Sequence, residues 1–491
     1  MNNNDLNLIL KGLAPLVVLE TYDEQRALSS LAEFCRDKGV QGWQWTVTEG
    51  LTRLGFGLSL KNASELTDTG KLFHHLKQQS DNQMFVLCDF HPYLDDARNI
   101  RFLKDIAHSA RSKRQKVVLL SHSLTLPPEL LRLSARAQLS FPSDEEILAI
   151  VREEAKLWIE NNRSAKIRTD QETLRKLVAN LTGLSHQDVR RLAQAAIAND
   201  GAITDSDLPE LTRTKFELMN MDGVLRFEYS LAHMKDVAGF HALKSWLAER
   251  FAVMQNDADV ADLDPPKGVL LFGVQGGGKS LAAKAIAGVW GLPLLCLDMG
   301  SLFNKYIGET EKNLRDALKL ADLMQPCVLW VDEIEKGLAQ ESDNATSKRL
   351  LGTLLTWMSE RKTRVFLVAT SNDISQLPPE LMRKGRFDEI FFVDLPDLEV
   401  RSEVFGIHLH KRGHKLENFD LKHLAEIAEG FTGAEIEQAV VSAMYAAAAQ
   451  RSSLDQPLLE RAIHQTQPLS VVMAERVAEL QNWARERAVC V

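Results

Sequence analysis

The chain has 491 residues, 58 Lys+Arg against 67 Asp+Glu for a formal charge of −9, and 45% hydrophobic residues. At roughly 100–200 residues per domain this length predicts about three units, each able to bury a core. Charged residues at 25% and aromatics at 7% exclude a disordered chain, and the acidic balance excludes a global basic field for nucleic acid while leaving room for a local basic groove.

The apolar runs, such as Pro15 to Glu20 and Cys327 to Val331, are far shorter than the ~18 residues a membrane span needs, so no span is expected. The first residues carry no signal-peptide pattern, their apolar stretch being broken by Gly12 and Pro15. Five cysteines without a CxxC pair read as reduced, mostly buried thiols of a cytosolic protein, with neither disulfide frame nor zinc site implied.

In chain order, strand candidates fall at Leu16 to Leu19, Trp43 to Val47, Phe85 to Cys88 and Val117 to Leu120, with helical stretches between them. Helices follow to residue 200. Residues 201–235 show no clean period and read as a linker, and order restarts at Asp236. From Lys267 an aliphatic run leads through GVQGGGKS into LAAKAIAGVW, the pattern of strand, glycine loop and helix. Further strands are predicted at Leu294 to Leu297, Cys327 to Val331, Val365 to Ala369 and Phe391 to Val393. Such alternation predicts an α/β fold with a parallel sheet covered by helices on both faces. After Pro396 the chain turns helical, and Ser470 to Ala488 reads as a closing helix on that helical subdomain or on a neighbouring subunit. The expected boundaries are 1–141 and 142–200 for a first α/β domain and its helical segment, 201–235 for the linker, 236–396 and 397–469 for a second α/β core and its lid, and 470–491 for the C-terminal helix.

The two halves echo each other. LPPELLR at Leu126 to Arg132 recurs as LPPELMR at Leu377 to Arg383, and TGLSHQDVRRL lies where EGFTGAEIEQA lies later. A separation of about 250 residues points to duplication of a whole domain and not to a short-period solenoid.

Gly273 to Ser280 fits GxxxxGK[ST]. Its glycines let main-chain N–H groups curl around phosphate oxygens, Lys279 reaches the terminal phosphates, and Ser280 suits Mg²⁺. At the end of the strand CVLWV, Asp332 can hold the hydration shell of Mg²⁺ and Glu333 can position and deprotonate the attacking water. Asn372, after VFLVATS, can orient that water or contact a γ-phosphate. Arg383 and Arg386, on a loop opened by two prolines, suit transition-state charge on an adjacent subunit's nucleotide, with a surface salt bridge as the alternative.

DVAGF, GVQGGGKS, VDEIEK, ATSN with LPPELMRKGRFD, and GFTGAEIEQAV resemble, in that order, the motifs of classical AAA ATPases over about residues 236 to 450. The resemblance implies an AAA+ module, and adenine contacts from Val237 and Gly239. It implies phosphate binding by Gly276, Gly277, Gly278, Lys279, Ser280 and Leu281 with Mg²⁺, and hydrolysis of ATP by Asp332 and Glu333. Asn372 takes the sensor-1 place, Arg383 and Arg386 the finger places, and His408, Gly433 and Ala434 the nucleotide-contact places of the lid. Ala434 stands where many wider AAA+ relatives carry an arginine, so no cis arginine is expected. Tyr306–Ile307–Gly308 has the look of the first pore loop of AAA unfoldases, an aromatic grip on an extended chain, unless Tyr306 packs on the following helix. The whole chain looks similar to the divergent AAA proteins known as an open reading frame of algal chloroplast genomes, cyanobacteria and other bacteria, which would place it in a plastid stroma if so encoded.

The first half departs from this pattern. TYDEQRAL supplies no glycine loop or lysine after its first strand, and Asp89–Phe90 stands at the place of Asp332–Glu333, keeping a metal ligand and losing the base. It reads as a degenerate copy kept as a ring layer, a partner platform or a ligand sensor. The run Arg98, Arg101, Lys104, Arg111, Lys113, Arg114 and Lys116 touches nucleic acid on one reading and is a solvated helix end on the other. The expectation is a Mg²⁺-dependent ATPase ring, a homo-hexamer, acting on a macromolecular partner with protein favoured; a nucleotide-gated scaffold or a nucleic-acid-dependent motor are the rivals.

Overall fold

The structure, a computed structural model, describes residues 3–55, 63–79, 81–139, 141–162, 168–198, 201–204, 206–219, 224–254, 263–303, 310–338, 345–383, 385–485 and 487–491. The chain divides into two compact units, residues 1–204 and 205–491.

The first unit holds β1 (Leu16–Glu20), β2 (Gln41–Thr46), β3 (Gly50–Arg53), β4 (Gln83–Cys88), β5 (Lys116–Ser121) and β6 (Ser134–Gln138) in one sheet of order β3-β2-β4-β5-β1-β6. All ladders are parallel except the β2–β3 hairpin at the edge. The strands alternate between two apolar layers: Leu16, Val18, Phe85 and Leu87 face one, Val17, Leu19, Met84 and Val86 the other. This two-sided burial is why β1, β4 and β5 read as continuous apolar runs. Helices Asp144–Asn161, Gln171–Leu181 and His186–Ala198 complete the unit.

The second unit holds β7 (Leu225–Glu228), β8 (Gly268–Gly273), β9 (Leu294–Asp298), β10 (Cys327–Asp332), β11 (Val365–Ser371), β12 (Glu389–Val393) and β13 (Val489–Cys490), in the order β13-β12-β8-β11-β10-β9-β7. Its lid is a cluster of helices Leu398–Lys411, Leu421–Ile427, Gly433–Ala449 and Gln456–Gln465 around Phe405, Phe431 and Ile436.

Two expectations are corrected. The stretch expected as a linker, 201–235, carries helix Leu208–Met219 and β7, which pairs antiparallel with β9 and adds a strand to the sheet. A four-residue edge strand is too short for its period to show, and what holds it is tertiary: Phe227 meets Phe216 at 5.4 Å. The closing segment also docks differently. Helix Ala474–Ala484 packs on the core sheet, with Trp483 edge-on to Phe272 at 5.0 Å, and the chain then pairs β13 with β12.

The duplication is visible strand for strand. β2-β4-β5-β1-β6 repeats the order and parallel sense of β9-β10-β11-β8-β12. The LPPEL turns repeat too: Leu130 N–H donates to the Pro127 carbonyl as Leu381 N–H does to that of Pro378, both at 3.0 Å, and both leucines are fully buried. The halves diverge after their first strands. Three residues, Thr21 to Asp23, join β1 to helix Glu24–Lys38, where five join β8 to helix Lys279–Trp290. Asp23 caps the first of these helices, its carboxylate accepting from Arg26 N–H at 3.3 Å. A fixed negative charge thus occupies the helix end where a phosphate would have to sit.

Candidate functional site

At the carboxyl end of β8 the main chain enters the glycine loop with Gly276 at φ +79° and Gly278 at φ +96°, values that only glycine adopts without strain. A Cβ at Gly276 would lie 3.0 Å from Thr432 Oγ1 and 3.2 Å from Ala434 Cβ, so the absence of a side chain lets the lid close on the loop. Helix Lys279–Trp290 begins at Gly278 without a side-chain cap. Its free N–H groups and positive dipole end suit an anion. Lys279 is 7% exposed, and its Nζ donates to the carbonyls of Gly273 at 2.9 Å and Val274 at 2.8 Å. Burial pushes this ammonium down to about 8, against the pull of Glu335, Asp332 and Glu333.

The strand β10 delivers the acids and β11 positions them. Asp332 Oδ1 accepts from Thr370 Oγ1 at 2.6 Å. Glu333 has left-handed backbone, φ +47°, and its N–H donates to the same hydroxyl at 3.2 Å. Asn372 Nδ2 donates to Glu333 Oε1 at 3.0 Å, and Glu333 Oε2 pairs with Lys336. Glu335 is 6% exposed; its Oε1 accepts from Asn372 N–H at 3.0 Å, while its Oε2 is buried without a hydrogen-bond partner. A buried carboxylate oxygen in that state adds negative potential facing Lys279.

These groups share one cavity of about 500 Å³ bounded by core and lid. Val237, Gly239, Gly276, Gly277, Gly278, Lys279, Ser280, Leu281, Asp332, Glu333, Asn372, His408, Gly433 and Ala434 all line it. At its far end Gly239 N–H donates to Glu403 at 3.2 Å, and the Val237 carbonyl accepts from Lys244 at 2.8 Å. His408 is held below the ordinary histidine range by burial, with Glu437 opposing that shift and Arg412 adding to it. Ala434 N–H donates to the Gly276 carbonyl at 3.2 Å, which ties the lid helix to the phosphate loop.

The donor set fits a hydrated Mg²⁺: Ser280 and Asp332 line the same cavity, and Asp332 Oδ1 is already oriented by Thr370. Arg383 and Arg386 are not among its lining residues. Arg383 is exposed, and Arg386 donates to the Leu355 carbonyl of its own chain. Tyr306 and Ile307 lie outside the described residues. Sequence reasoning missed Glu335, Thr370, Phe240 and Val491, all of which shape the site or its lining. Glu335 had a signal as a third acid in VDEIEK, and Phe240 and Thr370 stood inside the DVAGF and ATSN motifs, whereas Val491 had none.

Residues 269–395 match the ATPase family associated with various cellular activities (AAA), and 418–457 match the AAA+ lid domain. Residues 2–139 and 145–222 match the N-terminal and second domains of SpoVK-like AAA ATPases. The uncharacterized AAA domain-containing protein ycf46 of Pyropia yezoensis is 34% identical over 486 residues, 98% of this chain and 97% of that one. This chain belongs to the AAA ATPase family. The ycf46 protein of Guillardia theta, another AAA relative, is 34% identical over 490 residues, covering 98% and 94% of the two chains. The proteasome-activating nucleotidase of Aeropyrum pernix shares 37% identity over 190 residues, 37% of this AAA protein and 46% of that one. No helix among the described residues is long and apolar enough to cross a membrane.

Proposed function

We propose that this AAA ATPase binds ATP with Mg²⁺ in the cavity between its second core and lid, hydrolyses it, and uses the cycle to remodel a macromolecular partner, a protein. The observation that carries the reading is the hydrogen bond from Asn372 to Glu333 within a cavity that also holds Lys279 and Asp332. Lys279 and the uncapped helix end bind phosphate charge, Asn372 aims Glu333, and Glu333 takes the proton of the attacking water. Ser280 and Asp332 would hold Mg²⁺, which would supply charge neutralisation on the phosphates.

Arg383 and Arg386 lie on one loop and outside the cavity, so we assign them to the neighbouring subunit's site in a homo-hexameric ring. The match to proteasome-activating nucleotidases, confined to the AAA part, favours a protein substrate. Tyr306 with Ile307 would grip it. The basic run favours nucleic acid less: Lys113 Nζ donates to the Lys77 carbonyl, Lys116 Nζ to those of Gly12 and Ala14, and Arg101 pairs with Asp105.

The test is to trap Glu333→Gln protein with ATP and identify what co-purifies. An extended protein segment supports remodelling, and its loss on Tyr306→Ala with ATPase retained supports threading. RNA or DNA in its place, with ATPase stimulated by it, counts against the protein reading. Partner capture by residues 1–204 alone would favour a nucleotide-gated scaffold instead, a reading supported by the Asp23-capped helix of the first unit.

A further inference from the structure

The first unit has no phosphate loop, yet the carboxyl ends of its strands still carry a cluster of chemical groups. Ladder pairing fixes what stands where. Met84 opposite Lys116 in β4 and β5 takes the position of Val328 opposite Phe366 in β10 and β11, because Met84 packs in the layer of helix Glu24–Lys38 as Val328 packs in that of helix Lys279–Trp290. Counted along these ladders, Asp89 falls on Glu333, His91 on Glu335 and His122 on Asn372. The backbone agrees: Asp89 has φ +48° where Glu333 has +47°, and a short helix starts two residues later in each half, at His91 and at Glu335. This corrects the expectation that Asp89 keeps the place of Asp332, which Cys88 occupies.

The three positions that hold Glu333, Glu335 and Asn372 together in the second unit are therefore held together in the first, with a different donor set. One oxygen of Asp89 and one ring nitrogen each from His91 and His122 lie within 4.8 Å of one another. The His91 and His122 rings meet edge-on at 5.0 Å. Ser121 Oγ lies 2.8 Å from His91 Nδ1 and 3.4 Å from the Ser123 carbonyl. The hydroxyl has one proton to give. Donated to the carbonyl, it leaves Oγ to accept Nδ1–H, and the His91 lone pair is then on Nε2. An outer partner that fixes the tautomer of an imidazole is the usual support of a metal-bound histidine.

We propose that Asp89, His91 and His122 form a binding site for a divalent transition-metal ion of the zinc class at the carboxyl edge of the first sheet. Two imidazoles and one carboxylate are the donors such ions take, with remaining positions open to water or a partner's side chain, whereas Mg²⁺ prefers all-oxygen sets. A zinc ion with donors at ~2.0–2.2 Å would bring those atoms to ~3.4 Å from one another, a contraction the largely exposed Asp89 and His122 side chains make by rotation. Duplication has thus converted an acid-and-amide cluster into an acid-and-imidazole one. The site is independent of the ATPase reading.

The test uses tag-free, full-length protein without nucleotide, titrated with Zn²⁺ against a chromogenic chelator in excess Mg²⁺. One Zn²⁺ per chain is expected, weakened about ten-fold or more by His91→Ala and by His122→Ala and unchanged by the control His74→Ala. No Zn²⁺ binding to the parent, or equal binding in all variants, overturns the site. Should a variant fail to fold, Co²⁺ added to the parent decides: ligand-field bands of a low-coordinate nitrogen–oxygen site support it, and the spectrum of the free hydrated ion overturns it.

Discussion

Asn372 Nδ2 donates to Glu333 Oε1, and the N–H of the same residue donates to Glu335 Oε1, each at 3.0 Å. One residue at the exit of β11 therefore ties down both acids that leave β10. A general base held this way has its orientation set before substrate arrives, and misplacement of about 1 Å costs on the order of 10²-fold in rate. Asn372→Ala is expected to keep nucleotide affinity within a few-fold and to lower kcat by about 10²-fold. Measuring Kd by fluorescent-nucleotide binding and kcat by phosphate release separates the two. A variant that loses affinity and keeps kcat contradicts the assignment.

Lys279 is the main cationic side chain assigned to the phosphates, and its Nζ already sits on the loop carbonyls of Gly273 and Val274. Lys279→Ala is expected to abolish measurable nucleotide binding while the fold persists. Turnover retained in pure, folded variant protein would remove the site from this cavity.

Arg386 is held by the Leu355 carbonyl and does not line the cavity of its own chain. Arg386→Ala is expected to bind ATP and fail to hydrolyse it, with a loss on the order of 10³-fold or more. Mixed with Glu333→Gln protein, which keeps its arginine, part of the activity should return. Stable mixed rings without recovery would show that the finger does not act between subunits.

Lys215 lies 2% exposed on the buried side of helix Leu208–Met219, its Nζ donating to the Leu323 carbonyl at 2.7 Å. Burial pushes it from 10.5 down to about 8. Below about 8 the ammonium is charged folded and unfolded alike, and its desolvation penalty is fully present. Between about 8 and 10.5 the unfolded chain keeps a proton the folded chain has released, so stability from this site rises with pH across that window. The parent should therefore gain on Lys215→Met by about 3 kcal/mol as pH climbs through it. Denaturant midpoints of both proteins at matched pH measure this, and a difference independent of pH counts against it.

How much of this was legible beforehand depended on whether the signal was local. The strands β1, β8, β10 and β11 are buried on both faces, so their apolar runs announced them. The glycine loop could be read because Gly276 and Gly278 answer a local backbone demand, positive φ. β7 and β13, at four and two residues, carry too little period to see, and exist because a neighbouring strand offers a ladder edge.

The sequence by itself determined the family motifs and the set of residues proposed for phosphate, metal and base, because each is a pattern within one short segment, and it showed the duplication as the recurrence of such segments. Only the tertiary structure decided which separate segments meet. That Asn372 holds Glu333, and that Asp89 stands on Glu333 and not on Asp332, follow from the register of parallel ladders between strands more than thirty residues apart in the chain. Register of that kind is set by interstrand hydrogen bonds and by packing on both faces of the sheet. A shift of one residue turns every side chain to the other face, so no reading along one strand alone could have fixed it.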